Sequence, residues 1–85
     1  MFYFYILRSK KDRNLYFGYS HDLRKRIKEH NRGRVLSTKN RRSLELVYYE
    51  GYNSERDARN REIQIKKRTQ ALTTLRQRIK NSLSE

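Results

Sequence analysis

With 85 residues, 34% of them hydrophobic, the chain has room for one domain, a modest two-layer core and one site built on its surface. Lys and Arg number 22 against nine Asp and Glu, and the formal net charge of +13 points to a polyanionic partner. No apolar run nears membrane-spanning length and no signal-peptide layout opens the chain, so a cytoplasmic protein that engages no membrane is expected; the lack of cysteine excludes a disulfide framework, thiolate catalysis and the common structural zinc sites.

The aromatic and aliphatic run Phe2 to Leu7, the polar stretch Ser9 to Asn14 and the run Leu15 to Tyr19 predict a β-hairpin. An even loop over Ser9 to Asp12 sets Tyr5 opposite Tyr16 and Leu7 opposite Asn14, each pair on one face. Ser20 or Asp22 caps a helix running to about Asn31, which Gly33 ends in a left-handed conformation. Its inward stripe is Leu23, Arg26, Ile27 and His30, so Arg24, Lys25, Lys28 and Arg32 face away from the core. Arg34 to Ser43 is polar, basic and aperiodic, which predicts a mobile loop able to lie along a phosphate backbone.

Leu44 to Tyr52 predicts a third strand, with Leu44, Leu46 and Tyr48 on one face and Val47 and Tyr49 on the other. Asn53 and Ser54 open a second helix, Asp57 standing three residues after Ser54 in a capping arrangement, and its inward stripe is Ala58, Glu62 and Ile65. A last helix over Gln70 to Lys80 carries Leu72, Leu75 and Ile79. No repeat or linker divides the chain, so residues 1–85 are expected to form a single domain.

Arg26 and Glu62 are charged residues on stripes that the apolar pattern turns inward. Each odd residue has a bland explanation when taken alone. Arg26 can snorkel to the rim, Glu62 can mark a wet flank, His30 can be a polar edge residue, and Tyr5 and Tyr16 can fill core. Together they match a chemical need. Phosphodiester hydrolysis requires an activated water, neutralisation of the pentavalent charge and help for the leaving oxygen. A guanidinium forks onto phosphate, a carboxylate holds Mg²⁺ or Mn²⁺, and a phenol or imidazole relays a proton. The acids are few and unpaired, which favours one metal on one carboxylate over a two-metal cluster.

Phe4-Tyr5-Ile6-Leu7, Leu15-Tyr16-Phe17-Gly18-Tyr19-Ser20, the run Asp22 to Asn31, Leu46-Val47-Tyr48-Tyr49-Glu50, and Ala58 with Glu62 and Ile65-Lys66 together resemble the GIY-YIG nuclease superfamily, most closely its short stand-alone bacterial members. The resemblance spans about residues 2–67, and its register is specific: 11 residues from Tyr5 to Tyr16, 10 from Tyr16 to Arg26 and four from Arg26 to His30. Tyr3 and Phe4 stand where the first motif's name-giving glycine and isoleucine occur. The resemblance implies an α+β fold of order β-β-α-β-α-α, a three-stranded antiparallel sheet flanked by helices with the site across one sheet face.

By position, it implies that Tyr5 and Tyr16 are the motif tyrosines, one of them accepting a proton from the attacking water or orienting it. Gly18 lets the backbone turn closely beside the site, Arg26 stabilises the phosphate, His30 assists proton transfer or phosphate contact, and Glu62 is the single ligand of a Mg²⁺ or Mn²⁺ ion. The expected activity is that of a metal-dependent DNA endonuclease, structure-selective or weakly sequence-specific, in repair or recombination, with DNA ahead of RNA and a monomer or weak dimer as the working form. Its expected phosphate track is Arg24, Lys25, Lys28, Arg32, Arg34, Lys39, Arg41 and Arg42. The alternatives are a non-catalytic nucleic-acid-binding module on the same scaffold and, third, a basic protein whose partner is an acidic protein surface.

Overall fold

The computed structural model describes residues 1–85 as β1 (Phe2–Ser9), β2 (Leu15–Ser20), α1 (Leu23–Asn31), a 3₁₀ turn (Lys39–Arg41), β3 (Leu44–Tyr52), α2 (Glu55–Lys66), α3 (Gln70–Arg78) and a short α4 (Lys80–Ser84). The sheet is antiparallel in the order β2-β1-β3, so the chain has the expected α+β architecture. The last helix stops at Arg78, short of the predicted Lys80, and α4 turns back at Ile79. This lets Leu83 pack on the core and its carbonyl accept a hydrogen bond from buried Arg8.

Side-chain alternation along the central strand decides both faces. Phe4 and Ile6 join Phe17, Ile65, Leu72, Leu75 and Ile79 in the larger apolar layer, under α2 and α3. Burial of such side chains stabilises the fold by roughly 1.5–3 kcal/mol each. Tyr5 and Leu7 face the other way and meet Leu44, Tyr16, Leu23 and Ile27 in a smaller layer beneath α1.

The hairpin register differs from expectation by two residues: Tyr5 pairs with Gly18, and Leu7 with Tyr16. The loop is Lys10 to Arg13, closed by Ser9 N–H donating to the Asn14 carbonyl at 3.0 Å, with Arg13 at φ 64°. Ser9 Oγ accepts from the Lys11 and Asp12 amides, which places Ser9 in the strand and not in the turn. An even shift preserves the faces, so Tyr5 and Tyr16 still share one, now as diagonal neighbours. In β3 the register shifts between Ile6 and Leu7, where Tyr48 and Leu46 are their respective partners and Val47 is the extra residue. Val47 and Tyr48 therefore both pack on the larger layer, while Leu44, Leu46 and Tyr49 share the α1 face, contrary to the expected grouping of Tyr48 with Leu44 and Leu46.

Helix α1 begins as predicted, Asp22 Oδ1 accepting from the Lys25 amide at 3.1 Å, and ends at Gly33 with φ 75°. Ser54 is the N-cap of α2, but its side chain makes no capping hydrogen bond. The segment Arg34 to Ser43 is folded and packed. Asn31 both donates to the Leu44 carbonyl at 2.9 Å and accepts from the Leu44 amide at 2.8 Å, while Val35 and Thr38 are buried. The segment is also tied to the hairpin loop, since Ser9 Oγ donates to the Arg41 carbonyl and Arg41 pairs with Asp12 at 2.8 Å.

On the opposite face, Glu50 accepts from Tyr48 at 2.7 Å, from Tyr52, and from Arg61 at 2.9 and 3.1 Å. This clamp fixes the rotation of α2 at the residue before Glu62. Burial alone would raise the Glu50 pKa, but Arg61 and the two phenols outweigh it and hold it below the usual carboxylate value. Its stabilising contribution is therefore complete above about pH 4.5 and is lost as the pH falls through the lower folded value. Replacing Glu50 by Ala is expected to cost about 2–3 kcal/mol in urea unfolding at pH 7, with a smaller difference from wild type below pH 4.

Candidate active site

The Tyr5 ring passes over Gly18, its partner on the edge strand: a β-carbon there would overlap Tyr5 Cζ and the hydroxyl oxygen and come within 2.9 Å of Cε1. Glycine is needed at this position for close approach across the sheet. Sequence reasoning expected a glycine that permits a turn, and the structure places it inside a strand.

Tyr5 and His30 are both fully buried, with the Tyr5 hydroxyl 2.9 Å from His30 Nε2 and His30 Nδ1 2.7 Å from Thr38 Oγ1. The Thr38 hydroxyl has the Val35 carbonyl as its own acceptor at 3.5 Å. A consistent direction follows: Thr38 donates to Val35, His30 Nδ1–H donates to Thr38, and Nε2 accepts the Tyr5 proton. Burial, reinforced by the nearby Arg26 charge, pushes the His30 pKa down to about 4, so the ring is neutral at physiological pH. Burial also raises Tyr5 to about 12, against the pull of Arg26, which faces the hydroxyl as a charge and is hydrogen-bonded to Glu29 at 3.3 Å.

Tyr16, half-buried, packs edge-on against His30 with centroids 4.9 Å apart, and its ring centre is 6.4 Å from that of Tyr5. From the other side of the β2 edge, α2 brings Lys66, whose Nζ is 6.0 Å from the Tyr16 ring centre and 2.7 Å from Glu62 Oε2. Tyr19 donates to Glu55, which with burial raises its pKa, and the Glu62 charge adds a smaller push in the same direction to Tyr19 and to Tyr5. Thus Tyr5, Tyr16, Arg26 and His30 lie together, with Glu62 at the same strand edge. A cleft of about 250 Å³ opens beside them, its wall including Lys25, Arg26 and Glu29.

Of the expected phosphate track, Arg24, Lys25, Lys28, Arg32, Arg34, Lys39 and Arg42 are exposed. Arg41 is committed to Asp12, and Arg42 donates to the Lys39 carbonyl at 3.0 Å and lies over Gly33. Sequence reasoning missed Thr38 and Lys66 as partners of the site. Lys66 carried a usable signal, because it follows Glu62 by four residues on one helix.

No three His, Cys, Asp or Glu side chains converge anywhere in the structure. The donor set is one carboxylate, Glu62, whose side chain is 20% exposed. A hard cation that keeps most of its waters and shares a phosphate fits such a set, with Lys66 moving aside.

Gly18→Ala is expected to lower stability by about 1–3 kcal/mol in denaturant unfolding, because Tyr5 has to leave its place. In an NMR titration, the His30 ring should remain neutral down to about pH 4. Its pKa is depressed, so the stability it contributes is present above pH 6.5 and lost as the pH falls through 4. A midpoint near 6.5 would mean that the ring is solvated.

The GIY-YIG catalytic domain family matches residues 1–81, taking in α3 beyond the stretch that the motifs cover. Relatives include a UPF0213 protein of Pediococcus pentosaceus, 42% identical over 71 residues covering 82% of this chain and 74% of the relative. Another, from Clostridium perfringens, is 46% identical over 70 residues, 81% and 74% of the two chains. The UPF0213 protein YazA of Bacillus subtilis is 41% identical over 68 residues, 79% and 68% of the two. No solved structure matches the chain. With the family matched over nearly its whole length, the chain belongs to the GIY-YIG family, a catalytic domain of nuclease type.

Proposed function

We propose that the chain is a divalent-metal-dependent endonuclease that hydrolyses phosphodiester bonds, in DNA ahead of RNA. The observation that carries this is the Tyr5 hydroxyl, held over Gly18 between His30 Nε2 at 2.9 Å and the Arg26 charge, with Glu62 at the same strand edge. That is a hydrogen-bonded phenol, a phosphate-binding cation and an oxygen ligand at one edge of the sheet, with Arg26 also lining the neighbouring cleft.

Arg26, restrained by Glu29, grips a phosphate oxygen and stabilises the charge that builds up in the transition state. Tyr5 has too high a pKa to act as a standing phenolate, and His30, held near 4, is too weak a base to keep its proton, so neither ring is the final acceptor. With its own hydrogen donated to His30 Nε2, the Tyr5 oxygen accepts a hydrogen bond from the attacking water, whose proton leaves on a phosphate oxygen, and both rings stay neutral. Tyr16, the more exposed phenol, orients the water, while Thr38 keeps the His30 ring in the required tautomer. Glu62 holds Mg²⁺ or Mn²⁺, which when bound supplies Lewis acidity at the scissile phosphate. The exposed cations of α1 and of the following segment bind backbone without reading sequence, so affinity should fall steeply with salt. A cytoplasmic monomer or weak dimer serving repair or recombination accords with this role, and no helix is long and apolar enough to cross a membrane.

With Mg²⁺ or Mn²⁺, the wild-type protein should nick supercoiled plasmid or cut a branched oligonucleotide. Arg26→Ala and Glu62→Ala should each reduce cleavage by at least about a hundredfold while binding changes little. If wild type and both variants are equally inert across metals and substrates, the chain is a binding module on a nuclease scaffold.

A further inference from the structure

We propose that the groove between α1 and β3 receives one unpaired nucleobase of the bound strand, stacked on Tyr49, next to the phosphate held at Arg26. The proposal rests on the nuclease reading for the position of that phosphate, and it adds a substrate class: nucleic acid with an unpaired nucleotide at the cleavage site.

Pairing across the sheet sets Gly18, Tyr5 and Tyr49 in one row on one face. Tyr49 is therefore one strand away from Tyr5, a separation of about 4.8 Å between strands. Tyr5 is fully buried, whereas Tyr49 is 53% exposed and Leu46 beside it 36%. The Tyr3 ring supports Tyr49 edge-on, with centroids 5.9 Å apart and planes at 67°. The groove measures about 420 Å³, and its walls include Leu23, Arg24 and Ile27 of α1. It shares His21 and Asp22 with the smaller cleft that contains Lys25 and Arg26, so the two form one path around the N-terminal end of α1.

Charge selects the occupant. An exposed aromatic ring and a leucine lie beside Arg24 on one side, and Lys25 and Arg26 continue the path on the other. That pattern, an apolar platform between cations, suits a base between two phosphates. A second copy of the chain would bring two surfaces of formal charge +13 together, which self-repulsion opposes. A ring that is to be stacked on needs the face of a base, and duplex grooves present only base edges. The groove thus takes bases from single strands, flaps, bulges or extruded nucleotides.

The test is equilibrium binding without added metal, so that the result is read whether or not the chain cleaves. Three fluorescent probes of equal length are compared: a single strand, its blunt duplex, and the same single strand with abasic sites throughout. Wild type is expected to bind the single strand roughly tenfold more tightly than the abasic strand, and Tyr49→Ala to lose that preference. Tyr49→Phe should retain it, and the Tyr49→Ala affinity for duplex should stay unchanged. Equal weakening of all three probes by Tyr49→Ala, or no weakening of the single strand, overturns the proposal. So does a wild-type dimer, seen by sedimentation, that Tyr49→Ala converts to monomer without any effect on single-strand binding.

Discussion

The Tyr5 phenol rests on Gly18 and shares a hydrogen bond with His30, and the rest of the site is arranged around that contact. Without a side chain at position 18, the ring crosses β2 and carries its hydroxyl toward the sheet edge. The imidazole that meets it is fixed from behind by Thr38, which ties the segment after α1 to the same chain of hydrogen bonds. The orientation of α1 is thereby set, and Arg26, one turn before His30, faces the Tyr5 hydroxyl. Burial keeps both rings neutral, with pKa values pushed in opposite directions to about 12 and about 4.

A three-stranded sheet is narrow enough for groups from both of its layers to meet at one edge. Helix α1 contributes Arg26 and His30 from one face, and α2 contributes Glu62 and Lys66 from the other, with Tyr16 between them. Glu62 owes its place to the apolar burial of Ala58 and Ile65 on the same helix and to the Glu50–Arg61 clamp beside it. Packing in the larger layer and geometry in the site are thus coupled through α2. A cavity made at Ile65 would loosen the helix that carries the carboxylate.

The fold was legible in the sequence wherever local chemistry decides it. Asp22 and Gly33 bound α1 as their side-chain and backbone preferences require, and the hairpin faces survived a register error because the error was even. The two residues that made the site visible, Arg26 and Glu62, were charges on inward stripes. What sequence did not disclose depends on distant partners. The β-bulge at Val47 exists because two consecutive residues pack into one layer, which alternation alone cannot anticipate. The segment after α1 looked aperiodic and polar, but Asn31 mimics a strand partner for Leu44, and Thr38 is buried against a histidine eight residues earlier in the chain. Ser54 stands at the predicted N-cap and yet does not cap, so α2 is held by packing and by its ion pair instead.

The proposed role of Glu62 as the ligand of one cation requires that the ion sit at the β2 edge, beside Tyr16 and Lys66. Titration of Mn²⁺ into isotope-labelled protein, followed by paramagnetic broadening of backbone amide signals, tests it directly. Broadening is expected to centre on Glu62 and Lys66, to extend across the strand to Tyr16 and Gly18, and to disappear in Glu62→Ala. Broadening centred elsewhere, or unchanged by loss of Glu62, would contradict it.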